Sequence, residues 1–272
     1  MRWIAILAAA AAWAQGFGVQ PSTVRQGETL HVIGPADAAT ARLNGRSIRL
    51  FPQTGNGVLG LMPVPALEKP GAYTLEILDR GGQVRHSAAV TVVNAHFRTQ
   101  NVVLSPGIAA LQPAPGEAEA VSAFRETVSA TRYWEESLAL PVPGCMTSPF
   151  GVTRLRNGKP TGDYHGGIDQ RAAAGTPVRA IAAGTVRLVR PFILHGNTVA
   201  VDHGQGLESI YLHMSRFAVV EGEPVKRGQV LGYAGSTGRS TAPHLHWSIY
   251  VNGIPVNPAQ WVNLHPCAAP QR

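Results

Sequence analysis

Ten of the 272 residues are histidine, and several stand beside groups able to share a metal ion. His165 and Asp169 are separated by Gly166-Gly167-Ile168. Imidazole and carboxylate both bind zinc at roughly 2.0–2.2 Å, so two ligands of one ion must bring their donor atoms close together. A fully extended run would hold the two Cα atoms about 13 Å apart. Consecutive glycines also disfavour the helix that would place i and i+4 on one face. The glycine pair therefore predicts a bend or bulge where the two side chains converge. His244 and His246 lie two apart, so on a strand they share a face while Leu245 points the other way. Two imidazoles facing one space are costly if merely buried, and a shared metal or water relieves the cost. His213 ends a third stretch, Ile210-Tyr211-Leu212-His213.

Three protein ligands and a water form an open, catalytic zinc site, whereas closed structural sites carry four ligands, mostly Cys. The two cysteines, Cys145 and Cys267, lie outside these clusters. The chemistry expected is zinc-assisted hydrolysis. Spacing alone does not choose between His244 and His246 as the ligand.

The elements that must hold these groups read as mostly β. With Gly 30 and Pro 21, turns between short strands are favoured over long helices. Strand character runs through 177–189, 198–202, 208–213 and 244–251, with a turn at His203-Gly204-Gln205-Gly206 and a hairpin signal at Asn252-Gly253. Upstream, residues 17–95 alternate short strands with turn residues, which predicts an immunoglobulin-like β-sandwich with no visible chemistry. Residues 96–144 read as a linker with an amphipathic helix over 117–140. There Val121, Phe124, Val128, Thr131 and Leu138 repeat at helical spacing, and Glu117 and Glu119 sit at the N-terminal end. The domain carrying the histidine clusters spans 145–267.

Hydrophobic residues at 44% and charged residues at 14% give the chain real cores and exclude a disordered protein. The net charge of +7 favours polyanionic partners. Lys and Arg are scattered and no nucleic-acid motif occurs, so anionic wall polymers or lipid headgroups are expected rather than nucleic acid. Residues 1–14 read as a signal peptide: Arg2, an apolar run over 3–12, then Ala12-Trp13-Ala14. The run falls short of the about 20 residues of a membrane span. Export to the periplasm or cell exterior is expected, and in that oxidising setting Cys145 and Cys267 would pair.

From about 147 to 262 the sequence resembles the M23 (LytM, lysostaphin-type) zinc metallopeptidases. The matching text is His165-Gly-Gly-Ile-Asp169, Gly175-Thr-Pro-Val178, Ala183-Gly-Thr-Val186, Val201-Asp-His-Gly204, Tyr211-Leu-His213, Gly235-Ser-Thr-Gly238 and Pro243-His-Leu-His246. The resemblance implies that His165, Asp169 and His246 bind Zn2+ and that His213 and His244 are the catalytic pair. It also implies an antiparallel β-sheet peptidase domain whose substrate is a peptide bond in bacterial peptidoglycan. The tyrosine that some relatives use at the oxyanion has no secure counterpart, Tyr164 and Tyr211 being nearest in sequence. The reading is thus a zinc endopeptidase of cell-wall cross-links or stem peptides. Its rivals are a non-catalytic LytM-type regulator and a wall-binding scaffold, and residues 1–140 lie outside the resemblance. A further expectation is that the upstream segment covers the groove and inhibits it.

Overall fold

The computed structural model describes residues 16–135 and 137–268, so the expected signal peptide at 1–14 lies outside the described residues. The chain divides into two compact units, Met1–Ala95 and His96–Arg272.

In the first unit the strands are β1 (Gly18–Gln20), β2 (Thr23–Arg25), β3 (Thr29–Pro35), β4 (Ala38–Leu43), β5 (Arg46–Arg49), β6 (Phe51–Pro52), β7 (Gly57–Pro63), β8 (Gly71–Asp79) and β9 (Val84–Val93). They form two sheets, β1-β3-β7-β6 and β2-β9-β8-β4-β5. Alternation puts Leu75 and Ile77 of β8 inward, where they share one core with Ala41 and Leu43 of the same sheet and Leu30, Val32 and Met62 of the other. Two sheets facing across one core make a sandwich.

The second unit opens with β10 (Thr99–Val102), α1 (Pro106–Ala109) and α2 (Glu117–Arg125). Then come β11 (Met146–Ser148), β12 (Thr153–Arg156), β13 (Lys159–Tyr164), β14 (Ile168–Gln170), β15 (Pro177–Arg179) and β16 (Gly184–Pro191). The chain continues through β17 (Asn197–Gly204), β18 (Leu207–Phe217), β19 (Pro224–Val225), β20 (Val230–Ala234), β21 (Leu245–Val251) and β22 (Ile254–Val256). The main sheet is ordered β11-β14-β21-β18-β17-β16-β19, and its pairings are antiparallel. β18 is buried without a break from Leu207 to Met214 because both faces are covered. On one face Ala200, Ile210 and Leu212 pack under Val121 and Phe124 of α2. From the other, Tyr211 sends its hydroxyl to accept from the Ile181 backbone N–H at 3.1 Å.

The helix expected over 117–140 ends at Arg125, and the residues expected as a linker, 96–144, belong to the second unit. Beyond Glu126 the backbone finds partners on the sheet instead of four residues back. Gln205 N–H donates to Ser129, Tyr133 N–H to His203, Leu138 N–H to Trp261 and Ala139 N–H to Ile181. Trp134 is buried under this strap, its indole N–H donating to the Gly204 carbonyl at 3.0 Å. Tertiary pairing therefore overrides a local helical period that β-branched Thr127, Val128 and Thr131 support only weakly. β10 likewise runs parallel to β12. Cys145 and Cys267 form the expected disulfide.

Candidate active site

Three strands set the site. Asp169 of β14 lies opposite His246 of β21, which lies opposite Leu212 of β18, and His213 follows directly. His165 precedes β14 across the two glycines. His165 Nε2 is 3.1 Å from Asp169 Oδ1 and 3.0 Å from His246 Nδ1, and His246 Nδ1 is 2.8 Å from Asp169 Oδ1. The three donor atoms face one point, at spacings close to the ~3.4 Å edge of a tetrahedron with 2.1 Å bonds.

The surroundings free those atoms for a cation. His165 Nδ1–H donates to the Pro149 carbonyl at 2.8 Å, which leaves Nε2 with its lone pair. His246 Nε2 meets Ser248 Oγ at 3.1 Å, so a proton held there leaves Nδ1 as the donor. Arg154 grips the second Asp169 oxygen at 3.1 Å and so fixes the carboxylate plane. Burial pushes the Asp169 carboxyl up, but the neighbouring His165 and His246 outweigh it and hold its pKa well below the usual aspartate value. Burial drives His246 down to about 4 against the pull of Asp169, so the ring is neutral at pH 7. Two imidazole lone pairs and a carboxylate gathered this closely suit a divalent metal.

Gly167 explains how His165 and Asp169 meet His246. A Cβ there would lie 2.4 Å from the Trp247 carbonyl and 2.8 Å from His246 Nε2, so only glycine lets β14 close on β21. Gly166 has no such neighbour, its nearest being Pro255 at 3.8 Å. The convergence expected of the pair is thus the work of one glycine through close approach.

His213 and His244 stand beside the trio. Their ring centroids are 5.0 Å apart, and His213 lies 6.1 Å from His246. His244 Nε2 is 3.8 Å from Asp169 Oδ1. His244 precedes β21 rather than lying in it, held by an isolated bridge to Gly235. Each ring donates Nδ1–H to a backbone carbonyl at 2.8 Å, His213 to Thr237 and His244 to Ala242, which leaves both Nε2 atoms as acceptors. Burial, then the proximity of His246 and His244, lowers His213 to about 3. His213 also has φ 61°, a left-handed backbone that side chains rarely adopt.

Other sequence candidates fall elsewhere. Tyr211 is committed to the core, where burial pushes its pKa up to about 12. Tyr164 packs edge-on against Phe150 with centroids 5.9 Å apart. His203 is fully buried between the Ala183 carbonyl and Ser209 Oγ. Sequence reasoning missed Arg154 and Ser248, whose roles come from sheet pairing and carry no local motif.

A His/Asp/His trio beside two anchored imidazoles makes this face of the sheet a candidate metal site. Residues 163–258 match the model of peptidase family M23, and the chain belongs to that family. A solved structure described as a peptidase M23 from Pseudomonas aeruginosa superposes with a TM-score of 0.68 and 29% identity, covering 87% of this chain and 93% of that one. The DD-carboxypeptidase/endopeptidase Mpg of Neisseria meningitidis serogroup B is 46% identical over 113 residues, which is 42% of this chain and 26% of that protein. The peptidoglycan DD-endopeptidase ShyA of Vibrio cholerae is 43% identical over 112 residues, 41% of this chain and 26% of that protein. The chain thus spans about a quarter of the length of these curated relatives.

Proposed function

We propose that this chain is an exported zinc endopeptidase that hydrolyses peptide cross-links or stem peptides of bacterial peptidoglycan, with His165, Asp169 and His246 as metal ligands. The observation that carries the reading is the approach of His165 Nε2, Asp169 Oδ1 and His246 Nδ1 to within 3.1 Å of one another. The peptidoglycan DD-endopeptidase ShyA, to which the chain is similar, supplies the substrate class.

His165, Asp169 and His246 would hold the zinc, which would supply Lewis-acid polarisation of the scissile carbonyl and a water with its pKa lowered to about 7. The chain supplies the rest. Buried, neutral His213 offers Nε2 to take the proton of the attacking water and later return it to the leaving amine, work worth about 10²–10⁴-fold. His244, whose ring centroid lies 5.0 Å from that of His213, is the second imidazole placed to stabilise the developing oxyanion. Arg154 holds Asp169 to one geometry throughout. The complete donor set favours this reading over a non-catalytic regulator.

Metal quantification and mass spectrometry of products from defined peptidoglycan test it together. One zinc per chain and released peptides are expected. His246→Ala should lose the metal, whereas His213→Ala should keep it and lose turnover by about 10²–10⁴-fold. A purified chain with no zinc that frees no peptide from sacculi would refute the proposal.

A further inference from the structure

One carboxylate outside the site is built into the structure that holds it. Glu117, the first residue of α2, has no accessible side-chain surface. Its Oε1 accepts from the backbone N–H of His195 at 3.0 Å and of Leu194 at 3.1 Å, and from His195 Nδ1 at 2.5 Å. Its Oε2 accepts from Ile193 N–H at 3.1 Å and Ala114 N–H at 3.0 Å. Three consecutive N–H groups of the β16–β17 turn thus converge on one anion, the arrangement of a backbone nest. No helix capping role needs so many donors from a segment almost eighty residues away.

That turn leads straight to His213. The His195 carbonyl accepts the His213 N–H at 3.1 Å, which helps to hold its left-handed backbone. The Leu194 carbonyl accepts the Arg239 N–H at 2.9 Å. Asn197 N–H donates to Thr237 Oγ1 at 2.9 Å, and the Thr237 carbonyl fixes the His213 ring. Gly196 and Gly238 pack so tightly that a Cβ on Gly238 would lie 2.4 Å from the Gly196 nitrogen. The turn therefore touches both the backbone of His213 and the loop that orients its imidazole.

We infer that Glu117 is a positioning residue for His213, acting through the 193–195 turn. The inference rests on the peptidase reading for its kinetic consequence but not for its structural one. An amide at this position turns N–H toward N–H and releases the turn, while His165, Asp169 and His246 lie on β14, β21 and the preceding bend, outside its reach. Glu117→Gln should therefore lower kcat about 10–100-fold with zinc content unchanged, and KM should stay within about twofold.

Val121→Ala, on the same helix, controls for lost stability: it should lower Tm yet keep kcat within about twofold. NMR of the His213 ring in the zinc-loaded protein should show shifted or broadened signals in Glu117→Gln and not in Val121→Ala. His195→Ala, which removes one donor and leaves the backbone bonds, should show the same kcat loss in smaller degree. A folded, zinc-loaded Glu117→Gln with unchanged kcat and unchanged His213 signals overturns the inference. If Glu117→Gln does not fold, an unchanged kcat in His195→Ala overturns it equally. A zinc-loaded wild type that cleaves no peptidoglycan peptide refutes the peptidase reading instead, and the His213 signals then decide this inference alone.

Discussion

Glu208 shows what burial does to a carboxyl group when no partner comes with it. It lies in the middle of the main sheet, opposite Asp202 on one side and Tyr250 on the other, with neither carboxyl oxygen hydrogen-bonded. Burial, then the Asp202 charge, pushes its pKa up to about 9, so the folded protein holds a proton there at pH 7 that the unfolded chain releases near 4.5. The folded state binds the extra proton between those values, so stability is lost progressively as pH rises from about 4.5 to 9. At pH 7 the cost is on the order of 3 kcal/mol, from 1.36 kcal/mol per pKa unit. Glu208→Gln should raise stability at pH 7 by up to that amount and flatten the loss between pH 5 and 9, with little effect at pH 4; urea titrations across that range measure it. A variant less stable than wild type at pH 7 would show the acid to be held by interactions other than burial. At this scale the sequence was most informative about metal chemistry, since His165, Asp169 and His246 have ligand side chains. It was silent on Arg154 and offered Glu117 only as an acid at a helix end, because a partner supplied from a distant segment leaves no spacing to read.

Elements decide whether ligands meet. The Gly166-Gly167 pair looked like a hinge, because a helix or a straight strand could not bring His165 to Asp169. The structure assigns the constraint to Gly167 alone, through its approach to the Trp247 carbonyl. Gly167→Ala should push β14 from β21 and weaken zinc binding by about 10–100-fold, the cost usual for disturbing the shell that orients ligands. Gly166→Ala, whose added Cβ would meet only Pro255 at an ordinary 3.8 Å, should bind zinc almost as wild type does. Competition titration with a chromophoric chelator compares the two, and equal loss in both would return the role to backbone flexibility. The helix over 117–140 was legible only in its first nine residues, Glu117–Arg125. Of its remaining apolar positions Leu138 is buried at 6% exposed, its N–H bonded to Trp261, while Val128 is 41% exposed; one continuous helical stripe would bury both. A local period cannot report that distant strands offer better hydrogen-bond partners.

Across the whole molecule, alternation revealed which strand faces are buried but not the order of strands, so the sandwich was legible and its topology was not. The first unit ends at Ala95, where its strand pattern ends in the sequence, but the second begins at His96 rather than at Cys145, because β10 pairs with β12 and α2 packs on the main sheet. That unit is closed by Cys145–Cys267, which are 122 residues apart in sequence. In the chain-entropy description, closing a loop of that length restricts the unfolded state by about 5 kcal/mol. The native ends are held independently: Met146 N–H donates to His265 and Cys267 N–H to Met146, both at 2.9 Å, and β11 pairs Ser148 with Asp169. Replacing both cysteines by serine should therefore act on the unfolded chain, lowering the stability of the second unit by up to about 5 kcal/mol. Zinc content and turnover at 25 °C should be preserved. Calorimetry paired with metal analysis tests this. Loss of zinc at a temperature where the unit remains folded would mean that the disulfide shapes the Asp169 strand in the native state, since β11 is the only element between that bond and the ligand among the described pairings.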